Sequence, residues 1–489
     1  MRNRRTMRNK WLMLGVMALV LLVAASSTVV ALSGYGSVAP TCPDPPPPLA
    51  WEERPAATIH LRATTGCILM PDGNSIFMWG FAEEGGAFQH PSPTLIVQEG
   101  DAVTVHLVNE LPEPVSIAFP GQTGVLANGQ PVQPQLDAQG NLVSLVDAAP
   151  AGGEITYTFV AENPGTYLYE SGTQPAKQVQ MGLFGALIVR PAIGASYAYN
   201  DVRTIFHPER EYLLLLHELD PLIHEAVEQG REPDLAAFWP RYWTINGRCF
   251  PDTEAPAGAS WLPSQPYRAT VITEPYDATT NPLPAMIRLV NAGVHNHPFH
   301  THGFHLRLIG QNGRPLADLV CEGHPLIVEK LPARDLSREE FTITVGAGQT
   351  YDGLFTWTDV NGWKPGTNPL PAQAADQGYL PLSDLQDSIS AYLGYFKGGR
   401  VVAPADLRSG RRASPREDPV RSSNGAPINC LPLNLGDQGD LSVGAVATNE
   451  CGEVYFPWHT YSEQEMASFG GETGGMMTML RVNPPGGCP

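Results

Sequence analysis

Val103-Thr104-Val105-His106-Leu107-Val108-Asn109 sets Val103, Val105 and Leu107 at alternate positions and ends on a turn-forming asparagine. That period of two marks a strand with one buried face. The stretch returns as Met286-Ile287-Arg288-Leu289-Val290-Asn291. Outward from the first copy, Leu95 and Val97 alternate ahead of the turn Glu99-Gly100-Asp101, and Ile155, Tyr157 and Phe159 alternate again. Asn163-Pro164-Gly165 then turns into Tyr167 and Tyr169, and Gly182-Leu183-Phe184-Gly185-Ala186-Leu187-Ile188-Val189 closes the unit as a strand buried on both faces. Two more echoes follow: Gly153-Glu154-Ile155-Thr156-Tyr157 with Gly348-Gln349-Thr350-Tyr351, and residues 182–189 with Gly475-Met476-Met477-Thr478-Met479-Leu480-Arg481-Val482. A duplicated β-sandwich accounts for all three.

The predicted domains are residues 51–195 and 205–484, the second carrying insertions at about 218–265 and 365–450. Within the first insertion, Leu222, Ala226 and Val227 predict a short helix in residues 221–234, and residues 408–429 read as a solvated loop. A chain of 489 residues with 43% hydrophobic content can bury two such cores, and 47 Pro with 49 Gly favour short strands over long helices. The net charge of −19 excludes nucleic acid and anionic membrane surfaces as partners. Residues 1–33 carry Arg2, Arg4, Arg5, Arg8 and Lys10 ahead of an uncharged apolar run from Trp11 to Leu32. This is an export segment, either a cleaved signal peptide or a retained membrane anchor, and the only membrane contact expected. A Pro-rich linker fills residues 34–50, and the body lies outside the cytoplasm, periplasmic, extracellular or anchored. The seven cysteines are spread without a Cys-x-x-Cys pair, so structural disulfides are expected, with Cys42 and Cys488 the least constrained and one thiol left over.

His295-Asn296-His297-Pro298-Phe299-His300-Thr301-His302-Gly303-Phe304-His305 holds five of the 13 histidines in eleven residues. Neutral imidazoles are the commonest nitrogen ligands of copper and zinc, and ligands two and three apart at a bent strand end point into neighbouring sites. The segment from His297 to Gly303 resembles the His-Pro-x-His-x-His-Gly motif of multicopper oxidases. Residues 182–189 resemble the strand that ends their first domain, and Trp243-Thr244-Ile245-Asn246-Gly247-Arg248 a phrase of their second. The stretch from Phe456-Pro457-Trp458-His459 to Met476 resembles the place of their last ligand motif. The resemblance implies an all-β protein of two cupredoxin-like Greek-key β-sandwiches that binds copper and oxidises a small-molecule reductant, and it suggests a homo-oligomer.

Carried over residue by residue, the motif makes His297 a type 1, His300 a type 2 and His302 a type 3 copper ligand, and adds His459. Other ligand positions fall on Ala118, Pro120, Glu170, Gly172, Thr460, Tyr461 and Glu465, none of them an imidazole or a thiolate. A blue copper site needs a cysteine thiolate, which Thr460 cannot supply. The expectation is therefore one mononuclear site at His300, His302 and His459, with Tyr461 or Glu170 nearby, holding copper or zinc. The alternative is a catalytically inactive scaffold with a binding or structural role at the cell exterior. His295 and His305 match no ligand position, Met476, Met477 and Met479 are read as core, and His60, His90, His106, His207, His217 and His224 receive no role.

Overall fold

The computed structural model describes residues 58–303, 305–317, 335–358, 396–397, 400–401, 454–466, 475–483 and 486–487. The export segment, the Pro-rich linker and the loop at residues 408–429 lie outside them, as does nearly all of the insertion at 365–450.

The first sandwich is built from β1 (Thr58–Leu69), β2 (Ser75–Glu83), β3 (Leu95–Gln98), β4 (Ala102–Asn109), β5 (Glu154–Val160), β6 (Gly165–Glu170) and β7 (Phe184–Arg190). One sheet runs β2-β1-β4-β5 and continues into two short strands, and the other runs β6-β7-β3. The second sandwich uses β8 (Glu211–Leu219), β9 (Tyr242–Ile245), β10 (Val271–Thr273), β11 (Ala285–Asn291), β12 (His297–Thr301), β13 (Leu306–Gln311), β14 (Thr342–Val345), β15 (Thr350–Phe355), β16 (Val454–Thr460) and β17 (Met477–Val482). Its sheets run β9-β8-β11-β15-β13 and β10-β17-β16-β12-β14.

The pairing repeats between the copies. β1 lies parallel to β4 as β8 does to β11, and β7 parallel to β3 as β17 does to β10. β4 is antiparallel to β5 as β11 is to β15. The three sequence echoes therefore sit on equivalent strands. The helix expected after β8 is present as α1 (Pro221–Glu228), started by Asp220, whose side chain accepts from the Leu222 amide.

β4 and β5 alternate buried and exposed, whereas β7 and β11 are buried at every position. The cause is the contact between sandwiches: Leu168, Phe184 and Ala186 of the first pack against Leu213, Leu215 and Val290 of the second. The β6-β7-β3 sheet thus covers the outer face of the sheet containing β8 and β11, and both faces of the strands at that seam become core.

The charged groups Arg190, Glu211, Arg288 and Asp352, trapped in the seam, are paired. Glu211 accepts from both terminal nitrogens of Arg190 at 2.7 Å and from Nε of Arg288 at 2.5 Å. Arg288 also donates to Thr166 Oγ1 at 2.7 Å and meets Asp352 at 3.2 Å, while Asp352 accepts from the Tyr199 hydroxyl at 2.6 Å. Burial alone would raise the Glu211 pKa, yet the two guanidiniums hold it below the usual range. Replacing Glu211 by Ala takes from buried Arg190 the carboxylate it chelates and leaves buried Arg288 with Asp352 alone. The expected loss is roughly 3–5 kcal/mol in a denaturant titration, and a loss under about 1 kcal/mol would count against this role.

Candidate metal centre

β12 carries the histidine motif with a strict period of two: His297, Phe299 and Thr301 are buried, while Pro298 and His300 are half-buried. His297 and His300 therefore leave the strand on opposite faces. The four expected ligands divide accordingly into a trio and a single residue.

The trio is His300, His302 and His459. β12 and β16 pair antiparallel with His300 directly opposite His459, and His302 follows just past the strand end. There Gly303 turns the chain at φ +93, and any Cβ on it would sit 3.2 Å from Leu480 and Phe456. The ring centroids lie 4.6 Å apart for His300 and His302, 5.2 Å for His302 and His459, and 5.6 Å for His300 and His459. Nε2 of His302 is 3.1 Å from Nε2 of His459. His459 donates its Nδ1 proton to the Thr460 carbonyl at 2.6 Å, so its Nε2 carries a lone pair. His300 is anchored through Nδ1 to the Thr342 hydroxyl at 2.6 Å, and Trp458 donates its indole N–H to the His302 carbonyl at 2.9 Å.

Burial, reinforced by the neighbouring rings, pushes His302 down to about 3. Burial likewise pushes His459 down to about 4 and lowers His300. At neutral pH all three are uncharged bases, the form that binds metal. Two nitrogens on one tetrahedral ion, about 2.0 Å from it, lie about 3.3 Å apart, close to the His302–His459 separation. Among the described residues no three His, Cys, Asp or Glu side chains already stand in a finished metal-binding arrangement, so the trio must turn its rings to close on an ion. Tyr461 and Phe341, both exposed, lie 4.8 and 5.6 Å from the His300 ring and give the site an aromatic mouth.

His297 is fully buried on the other face and both of its nitrogens are engaged: Nε2 with Glu218 at 3.1 Å and Nδ1 with Glu465 at 2.9 Å. Glu465 also accepts from the Thr460 hydroxyl at 2.7 Å, and Glu218 from the amides of Val294 at 2.6 Å and His295 at 3.1 Å. Burial opposes a charge on His297, but the hydrogen bonds and charges of Glu218 and Glu465 outweigh it and push the imidazole up to about 9. Burial would raise Glu218, yet His297, His217 and the Val294 amide bring it down to about 2.

Ala118 and Glu170 face each other across a backbone bridge in the first sandwich, where Glu170 is pushed up to about 7 by burial. Among the described residues no hydrogen bond or ring contact joins Glu170 to the trio. Met476, Met477 and Met479 are buried, and Met476 belongs to the second core. Cys249 is a buried thiol donating to the Trp243 carbonyl at 3.3 Å, and Cys67 is disulfide-bonded; the other five cysteines lie outside the described residues. Glu218 was missed in the sequence. Its signal was there: an ionisable pair, His217-Glu218, inside the apolar run from Tyr212 to Leu219.

The fold is cupredoxin-like, two packed Greek-key sandwiches, and the chain resembles the copper oxidoreductases. Residues 85–193 match the family described as multicopper oxidase, whose members bind copper. The chain is 34% identical over 131 residues to the L-ascorbate oxidase of Cucurbita maxima, covering 27% of this chain and 20% of that protein. It is 29% identical over 162 residues to Laccase-25 of Oryza sativa subsp. japonica, covering 33% and 25%. It is 33% identical over 126 residues to the copper-containing nitrite reductase of Alcaligenes xylosoxydans xylosoxydans, covering 24% and 33%. The chain thus spans about a quarter of the first two relatives' length. The solved multicopper oxidase mgLAC superposes with a TM-score of 0.50 at 15% identity, over 88% of this chain and 87% of that one. Among the described residues no helix is long and apolar enough to cross a membrane.

The ion cluster makes stability depend on pH. The His297 contribution, whose folded pKa of about 9 exceeds the ordinary 6.5, is complete below 6.5 and lost as pH rises through 9. The Glu218 contribution, depressed from 4.5 to about 2, is complete above 4.5 and lost as pH falls through 2. Unfolding free energy should fall by roughly 3 kcal/mol between pH 6 and 10. A His297→Gln variant should show a flatter alkaline limb, and an unchanged limb would remove His297 as its source.

Proposed function

We propose that this is an exported copper protein with a single mononuclear site at His300, His302 and His459, acting on a small-molecule reductant at that one metal. The observation that carries the reading is the Nε2–Nε2 approach of His302 and His459 at 3.1 Å, with the His459 proton committed to a carbonyl. Three neutral imidazoles suit copper, and zinc as the competitor. A bound copper ion would supply one-electron redox chemistry. The chain's own residues do the rest: Thr342 and Thr460 orient two of the rings, burial keeps them deprotonated, and Tyr461 and Phe341 frame the approach.

The residues do not fit the family's full copper complement. Ala118, Pro120, Glu170, Gly172 and Tyr461 leave a three-copper cluster without most of its imidazoles, and Thr460 leaves a blue copper site without its thiolate. His297, with both nitrogens bound to carboxylates, is assigned here as a buried cation and not as a ligand. That ion cluster also favours a second reading, an inactive scaffold at the cell exterior, because it ties up the corner where electron entry would be built. Metal content after copper loading decides between them. The wild type should retain one paramagnetic Cu(II) equivalent through gel filtration, and His302→Ala should lose it. Equal copper in the two proteins, or none in either, would leave the scaffold reading.

A further inference from the structure

Three histidines without a role in the sequence converge at the seam: His90 from the loop between β2 and β3, His217 from β8 and His224 from α1. All three are buried, and burial holds His217 and His224 at about 4 and His90 well below its usual value, so each is neutral. His224 is satisfied, with Nδ1 donating to the Phe77 carbonyl at 2.6 Å and Nε2 facing the Gln180 amide at 3.3 Å. His90 and His217 are not. Both ring nitrogens of His90, and Nδ1 of His217, have no hydrogen-bond partner among the described residues.

Burying such groups costs about 1–3 kcal/mol each, yet the fold makes room for His90. Gly182 and Gly247, at φ +114 and +73, flank its ring; a Cβ on Gly182 would lie 3.0 Å from His90 Nδ1 and 2.9 Å from the Met78 methyl, and one on Gly247 2.7 Å from His90 Cδ2. The Phe184 ring lies 5.3 Å from His90 and 4.5 Å from His217. The His90 and His217 ring centroids are 6.2 Å apart.

We propose that His90 and His217 form a second, buried metal site that holds a single copper(I) ion between two imidazoles. An ion about 2.0 Å from each nitrogen, with ring centres about 1.1 Å behind them, places opposed rings about 6.2 Å apart. The charge of the pocket selects the ion. The carboxylate next in sequence, Glu218, is engaged by His297 and two amides, so the two donors are neutral imidazoles. The desolvation cost grows with the square of the charge, which disfavours a divalent ion there, and zinc also wants four ligands. Copper(I) accepts two nitrogens.

The test uses the full chain carrying His302→Ala and His459→Ala, so the trio cannot contribute, loaded with copper(I) under argon against a colorimetric copper(I) chelator. One equivalent should be retained, with an X-ray absorption edge of two-coordinate copper(I). Adding His90→Leu should remove that equivalent while leaving the unfolding midpoint of the metal-free protein unchanged or higher. If that variant does not fold, His217→Gln should lose the copper in its place. Complete loss of copper to the chelator from the His302/His459 double variant, or retention that survives both seam substitutions, overturns the site whatever the outcome at the trio.

Discussion

Glu211 stands between Arg190, from the last strand of the first sandwich, and Arg288, from a central strand of the second, and ties the two sandwiches together at the seam. A buried carboxylate with two guanidiniums has few acceptable geometries, so the pair of sheets is held in one registration. The apolar contact of Leu168, Phe184 and Ala186 with Leu213, Leu215 and Val290 supplies the area, while the ion network supplies the directionality. Pairing within the seam also explains why strands buried at every position tolerate Arg190 and Arg288 inside them.

The duplicated sandwich was legible in the sequence because its strands keep a period of two and the strand closing the first copy keeps an unbroken apolar run. Residues 153–157 and 348–351 share the same order of residue types. Less legible was why the run is unbroken, since the covering surface comes from the other copy. The histidine motif was legible as a cluster, and its split into two sites follows from parity: a spacing of three along a strand separates His297 from His300, while a spacing of two keeps His302 with His300. The partners of His297 were not legible. Glu218 reaches it from β8 and Glu465 from the turn after β16, and only the folded sheets bring those distant segments to one point. His90 and His217 were hidden for the same reason, as each is isolated in sequence and meets the other only across the seam.

The internal duplication also sets the histidine corner beside its counterpart in the first copy. Across the β12–β16 ladder His300 faces His459, and at the matching place in the first sandwich Ala118 faces Glu170. One residue further on, the Thr460 amide donates to the Met476 carbonyl and the Ser171 amide to the Leu183 carbonyl, which makes Ser171 the counterpart of Thr460. Both hydroxyls then bond to a polar side chain of the following turn, Thr460 to Glu465 at 2.7 Å and Ser171 to Gln178 at 2.6 Å. The same corner has been closed by hydrogen bonds in both sandwiches. A corner closed this way keeps strand and turn together without a metal, which relieves both copies of a structural need for copper. At this corner the second copy alone sets an outward ring pair, His300 and His459, with His302 beside it, where the first sets Ala118 and Glu170, so the duplication is broken at that strand end.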